Sequence, residues 1–263
     1  MRRTGYLMIG LAVLLIYSCK PSDEKKAAIR LNNAKYLLEK GDTTQALLQL
    51  DSISLHPKAV YSANAAKNMS AEINYSILKR KQVELDSVNV MITRLEMPFE
   101  KQKTEFDRYV QYIHKKQNLQ SGLNRSFIKV HLDERGMIYL SSNYFGKSLL
   151  NHYALRVYDG ELSAKTDSIP VGSEENRQSD FMEYKWEKVA YLNGKDNGVL
   201  QFIADNADRK LKAVFIGRQQ QFIVLEEYDK QAVKDAIALS DALKRRTSLS
   251  AEIKALEKKV PMQ

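Results

Sequence analysis

A chain of 263 residues with 44% hydrophobic and 28% charged side chains is long enough to bury a sizeable core and too apolar to stay disordered. Its net charge of +9 is spread over several helical stretches and never gathers into one basic stripe, which argues against nucleic acid as a partner. A single cysteine excludes an intrachain disulfide, so the fold rests on packing.

Arg2 and Arg3 precede a run of apolar and small residues from Gly5 to Ser18, the layout of a secretory signal. The run falls short of the ~20 residues that cross a bilayer. It ends Ile16-Tyr17-Ser18-Cys19, with a branched apolar residue at −3, a small one at −1 and then the thiol. These four residues resemble the lipobox of bacterial lipoproteins. Tyr17, at the permissive −2 position, is bulkier than the commonest choice there. The resemblance implies cleavage of residues 1–18, diacylglycerol on the Cys19 thiol and acylation of the new amine. Two or three acyl chains suffice for stable anchoring where one is marginal. A cell-envelope location at the outer membrane follows, its periplasmic and surface faces both open. Ser22-Asp23-Glu24 resembles the acidic surface-export signal of Bacteroidota lipoproteins. The same residues suit the N-cap and first turn of a helix, and the two roles are compatible.

Residues 19–57 read as a tether followed by a helical hairpin that breaks at Gly41, with Asp42 or Thr43 available to cap the second helix. Ala34, Leu38, Gly41, Ala46, Leu50 and Pro57 resemble one tetratricopeptide repeat. A lone pair of this kind cannot bury its own apolar face, so it is expected to pack on the helix that follows.

Residues 58–120 contain no glycine, and Leu78, Leu85, Ile92, Phe99, Phe106 and Ile113 recur every seven residues. Because the phase survives Pro98, this predicts one long coiled-coil-like helix kinked near that proline, with Lys81, Gln102 and Lys116 making the seam leaky. The period then changes. Residues 121–227 hold short alternating or β-branched runs at 126–132, 136–142, 152–160, 184–192, 198–204, 211–217 and 221–227, which predict an antiparallel sandwich or barrel. The stretch 192–198, LNGKDNG, is a turn or hairpin signal, and the polar stretch 170–182 predicts a mobile loop. Residues 228–263 return to helix, with Leu239, Ala242, Leu249, Ile253, Leu256 and Val260 on a second seam that Arg246 interrupts.

The expected class is therefore α+β: an N-terminal helical hairpin, a long helix, an inserted antiparallel β domain, and a C-terminal helix packing back on the long helix. Self-association of each seam with its copy in a dimer is equally compatible with these patterns.

The four histidines share no ligand spacing, and the chain has no Gly-rich phosphate loop, nucleophile elbow or HExxH motif. No catalytic residue, metal or cofactor is predicted. Alternation places His131 and Asp133 on one face of a strand, too few for a metal site. The β region is rich in aromatics: Tyr139, Tyr144, Phe145, Tyr153, Tyr158, Tyr184, Trp186 and Tyr191. Alternation puts Tyr184, Trp186 and Lys188 on one face and Lys185, Glu187 and Val189 on the other. A sandwich core with hydroxyls at its rim would use such aromatics, and so would a ligand-binding face. The expected function is a non-enzymatic interaction or structural lipoprotein meeting another envelope protein; the alternative is a glycan- or peptide-binding surface lipoprotein using Tyr184, Trp186 and Lys188.

Overall fold

The structure is a computed structural model that describes residues 22–120, 124–181 and 183–260; Ile16, Tyr17, Ser18 and Cys19 lie outside the described residues. The chain is α+β and divides into two units, one running to Leu78 and resuming at Leu256, the other spanning Lys79–Ala255.

The first unit is helical. Helix α1 (Asp23–Glu39) is capped by Ser22, whose hydroxyl accepts from the Lys25 N–H, and carries Asp23 and Glu24 in its first turn. Gly41, at φ +81°, turns the chain, and Asp42 caps α2 (Thr43–Asp51) by accepting from the Gln45 N–H at 3.0 Å. A 3-10 turn at Ser52–Leu55 leads to helix α3 (Val60–Leu95), which starts in this unit. Small residues meet where the helices cross: Ala27, Ala34, Ala46, Ala59 and Ala66 are buried together with Leu31, Leu50 and Ile53. The hairpin therefore shares a core with the start of α3, as a lone pair must. Glu24 also reaches across, its carboxylate accepting from the Ser62 N–H (2.9 Å) and hydroxyl (2.6 Å), which satisfies a donor in the first turn of α3.

In the second unit the remainder of α3 pairs with α6 (Glu227–Glu257). Lys81 meets Glu252 at 2.9 Å and Glu84 accepts from Arg245 Nε at 3.0 Å, the order of an antiparallel pair. Beneath these exposed ion pairs, Val88 and Ile92 share one core with Val233, Ala236, Leu239, Leu243 and Leu249. The helices thus pair within the chain.

Ten strands lie among the described residues of this unit. They are β1 (Phe99–Gln102), β2 (Gln111–His114), β3 (Phe127–Asp133), β4 (Ile138–Gly146), β5 (Ala154–Asp159), β6 (Leu162–Lys165), β7 (Asn176–Phe181), β8 (Tyr184–Tyr191), β9 (Lys212–Ile216) and β10 (Gln220–Val224). Helices α4 (Lys115–Gln120) and α5 (Val199–Asp205) interrupt them. All pairings are antiparallel, in a six-stranded sheet of order β1-β2-β3-β4-β8-β7 and a four-stranded sheet of order β10-β9-β5-β6. Both sheets are open. Ile128, Val130, Leu132, Leu140, Val189 and Tyr191 of the larger sheet share a core with Leu155, Val157, Ala213 and Phe215 of the smaller one and with α6.

The β3–β4 turn is tied to α6. Gly136 has φ +81°, its carbonyl accepts from the Ser240 hydroxyl at 2.6 Å, and a Cβ there would stand 2.7 Å from the Ser240 carbonyl oxygen. Only glycine meets both demands.

Several expectations are corrected. The helix of residues 58–120 stops at Leu95, because proline lacks an N–H and disfavours helix at the residue before it. Beyond it Phe99 enters a strand paired with His114, Phe106 sits exposed in a loop, and Ile113 lies on a strand face. The seven-residue spacing past Pro98 is a coincidence of three unrelated environments. Residues 199–205 form a helix where a strand was expected. Its buried Val199, Leu200 and Ile203 fit one helical face as readily as a short strand, and Gly198 at φ +80° precedes it. Within the stretch expected as a loop, Asn176–Phe181 is an edge strand, polar because only one side of it is paired.

Candidate functional site

The six-stranded sheet has two chemically distinct faces. Across it, register aligns Lys129 with Ser141, His131 with Tyr139, Asn143 with Lys188, Phe145 with Trp186, and Arg177 with Lys188. These side chains share the face turned away from the core. Tyr184 is 37% exposed, and Lys188 and Arg177 are exposed. The structure brings Tyr184, Trp186 and Lys188 together on this face, with Glu187 and Val189 buried beneath. The aromatics divide accordingly. Tyr144 and Tyr191 belong to the core, whereas Phe145 stacks on Tyr184 at 4.7 Å and packs against Trp186 at 4.8 Å on the outer face.

Part of this face is a groove. A cavity of about 580 Å³ is floored by Lys129, His131, Tyr139 and Lys188 and walled by the β1–β2 loop through Phe106, Arg108 and Tyr109. A second cavity of about 350 Å³ shares Tyr139, Lys188 and Leu192 with the first and continues to Arg177, Glu174 and Glu175. The loop is held by its own polar residues: Asp107 accepts from the Thr104 N–H (3.0 Å) and hydroxyl (2.7 Å), which keeps its carboxyl below the usual range.

The floor is unusual in its charges. Lys129 and Lys188 have no carboxylate partner among the described residues, and Arg177 donates only to the Glu174 carbonyl, at 2.8 Å. Desolvation and then the Lys188 charge lower the Lys129 pKa; desolvation and then Arg177 lower that of Lys188. His131 is held well below its ordinary value by burial and by the same two lysines. Its ring is stacked on Tyr139 at 4.4 Å, and its Nε2 lies 2.8 Å from the Ser141 hydroxyl. Asp133 is fully engaged in the β3–β4 turn, accepting from the N–H groups of Arg135 and Met137 and from the Arg135 guanidinium. It orders the turn and holds Arg135 over the Tyr109 ring at 3.6 Å. No group of His, Cys, Asp and Glu suited to a metal ion occurs among the described residues.

On the core side a second constellation escaped the sequence. His152 Nδ1 lies 2.6 Å from Glu187 Oε2, and its Nε2 lies 2.9 Å from the Ser142 hydroxyl. This has the layout of a Ser-His-acid triad. Its setting is different: Ser142 and His152 are fully buried, Glu187 is 1% exposed, and the Tyr191 hydroxyl already lies 3.0 Å from Ser142. A nucleophile enclosed on all sides meets no substrate, so the set is a polar network of the core.

Asp23 and Glu24 occupy the first turn of α1, and the Glu24 carboxylate is committed to Ser62. Among the described residues no helix is long and apolar enough to cross a membrane. No protein-family model matches the chain, and no curated protein or solved structure matches it either.

Proposed function

We propose that this chain is a lipid-anchored protein of the cell envelope that acts by non-enzymatic recognition, offering the outer face of its six-stranded sheet to another envelope component. The reading of the anchor comes from Ile16, Tyr17, Ser18 and Cys19. The reading of the recognition surface is carried by one observation: Lys129, Lys188 and Arg177 line a groove on an accessible sheet face without carboxylate partners among the described residues. Keeping three cations close together there costs stability unless something anionic engages them. A partner supplying negative charge would relieve that repulsion, and the neighbouring Trp186, Tyr184 and Phe145 would add apolar contact area.

Two experiments test the proposal. Metabolic labelling with a fatty-acid analogue should mark the full chain and not Cys19→Ala; equal labelling of both would remove the anchor. A photo-crosslinking residue in place of Tyr139 should capture an envelope component that the same residue at Phe222, on the four-stranded sheet, does not. Capture at both sites alike, or at neither, would remove the recognition surface.

A further inference from the structure

Resting on that reading, we propose that the groove takes a linear anionic polysaccharide, its carboxylate or sulfate groups seated over Lys129 and Lys188. The two cavities share Tyr139, Lys188 and Leu192, so they adjoin on this face and offer a chain two neighbouring seats.

The chemistry of the floor selects between polymers. Strands β4 and β8 are paired on both sides, and β3 is paired with β4 throughout and with β2 at Leu132 and Asp133, while Gln117 donates to the Ile128 carbonyl and accepts from the Val130 N–H on that side. A ligand lying on this face therefore meets side chains alone. A peptide is recognised most economically by adding a strand at a sheet edge, and the edges here are β1 and β7. A sugar chain presents hydroxyls and charged groups on the outside of each ring and needs the side-chain donors this floor supplies. Lysines at the centre face the charges, and Gln102, Gln111 and Asn193 line the walls. The Tyr109–Arg135 and Tyr139–His131 stacks give the groove flat, partly polar surface against which sugar rings can pack. Four carboxylates also line the groove, and two of them are already engaged: Asp107, whose charge reaches Tyr139, is held by Thr104 and Asp133 by Arg135, while Glu174 and Glu175 lie at the Arg177 end.

The test is retardation of the detergent-solubilised full chain in gels containing polygalacturonate, dextran sulfate, neutral dextran or polyglutamate, compared with a blank gel. Retardation by either charged polysaccharide, weakened tenfold or more in Lys129→Ala/Lys188→Ala and unchanged in Lys210→Ala, is the expected result. Carboxylated and sulfated ligands separate by which of the two gels retards more strongly. Equal loss in Lys210→Ala would reduce the effect to nonspecific charge and overturn the proposal, as would equal retardation in neutral dextran or in polyglutamate. The double variant's folding is checked by the fluorescence of Trp186. If crosslinking through position 139 still captures a component while no polysaccharide retards the chain, the recognition surface stands and the polysaccharide does not.

Discussion

His152 and Glu187 form a fully enclosed pair 2.6 Å apart, and the same carboxylate also accepts from the backbone N–H groups of Asn151 (2.7 Å) and His152 (2.8 Å). Burial opposes its ionisation, but the bonds from His152 and Asn151 outweigh it and hold the Glu187 pKa below 4.5. With the carboxylate ionised, Nδ1 carries the proton. A depressed acid stabilises the fold above its unfolded value near 4.5, and that contribution fades as pH falls through the lower folded value. Glu187→Gln places an NH2 among these donors and should cost on the order of 3 kcal/mol at pH 7. Urea titrations at pH 7 and pH 3.5 should show the gap between wild type and variant narrowing in acid; a constant gap would refute the assignment.

Asp229 behaves in the opposite sense. It is buried in the first turn of α6, accepts from Gln117 Nε2 at 2.9 Å, and its pKa is raised to about 6, chiefly by desolvation. A raised acid favours the folded state fully below its unfolded value of 3.8, and that advantage is lost as pH rises through about 6. Asp229→Asn, which keeps an acceptor for Gln117, should gain on the order of 1–2 kcal/mol at pH 7.5 and nothing at pH 4. Thermal melts at the two values check it; a loss of stability at pH 7.5 would count against it.

Gly136→Ala and Gly194→Ala separate two costs. Both positions have positive φ, +81° and +79°, but only at Gly136 does a Cβ meet backbone, 2.7 Å from the Ser240 carbonyl oxygen, whereas at Gly194 it meets nothing within 4 Å. Gly194→Ala should cost about 1 kcal/mol of strain, and Gly136→Ala distinctly more, on the order of 2–3 kcal/mol. Unfolding followed by Trp186, the one tryptophan, gives both values; equal losses would contradict the close approach to α6.

The α3–α6 pairing rests on its apolar seam and not on the ion pairs beside it. Leu243→Ala, at a fully buried site, should cost 2–5 kcal/mol, roughly the range for such truncations. Glu84→Ala removes the exposed partner of Arg245 and should leave the urea midpoint almost unchanged. The reverse ranking would place the pairing energy in the charges.

Local rules reached a good part of this molecule. Period and turn chemistry marked the hairpin at Gly41, the main strands and the C-terminal helix, because each is written in neighbouring residues. Alternation alone put Tyr184, Trp186 and Lys188 on one face, and His131 on one face of its own strand. Extended two residues back, the same alternation would have added Lys129. The helix past Pro98 was misread because a seven-residue spacing can persist by chance when the backbone no longer supports it. The edge strand Asn176–Phe181 was missed because an edge, paired on one side only, needs no apolar run.

Neighbouring residues were enough for the hairpin, the main strands, the C-terminal helix and the resemblance of Ile16, Tyr17, Ser18 and Cys19 to a lipobox, since each is a pattern of residues close together in the chain. That Lys129, Tyr139, Arg177 and Lys188 line adjoining cavities, and that Ser142, His152 and Glu187 meet in the core, is visible only in the folded chain. Those groupings depend on strand order and register between segments far apart in the chain. That order is settled by which faces bury together against α6 and the second sheet, a condition no single strand carries.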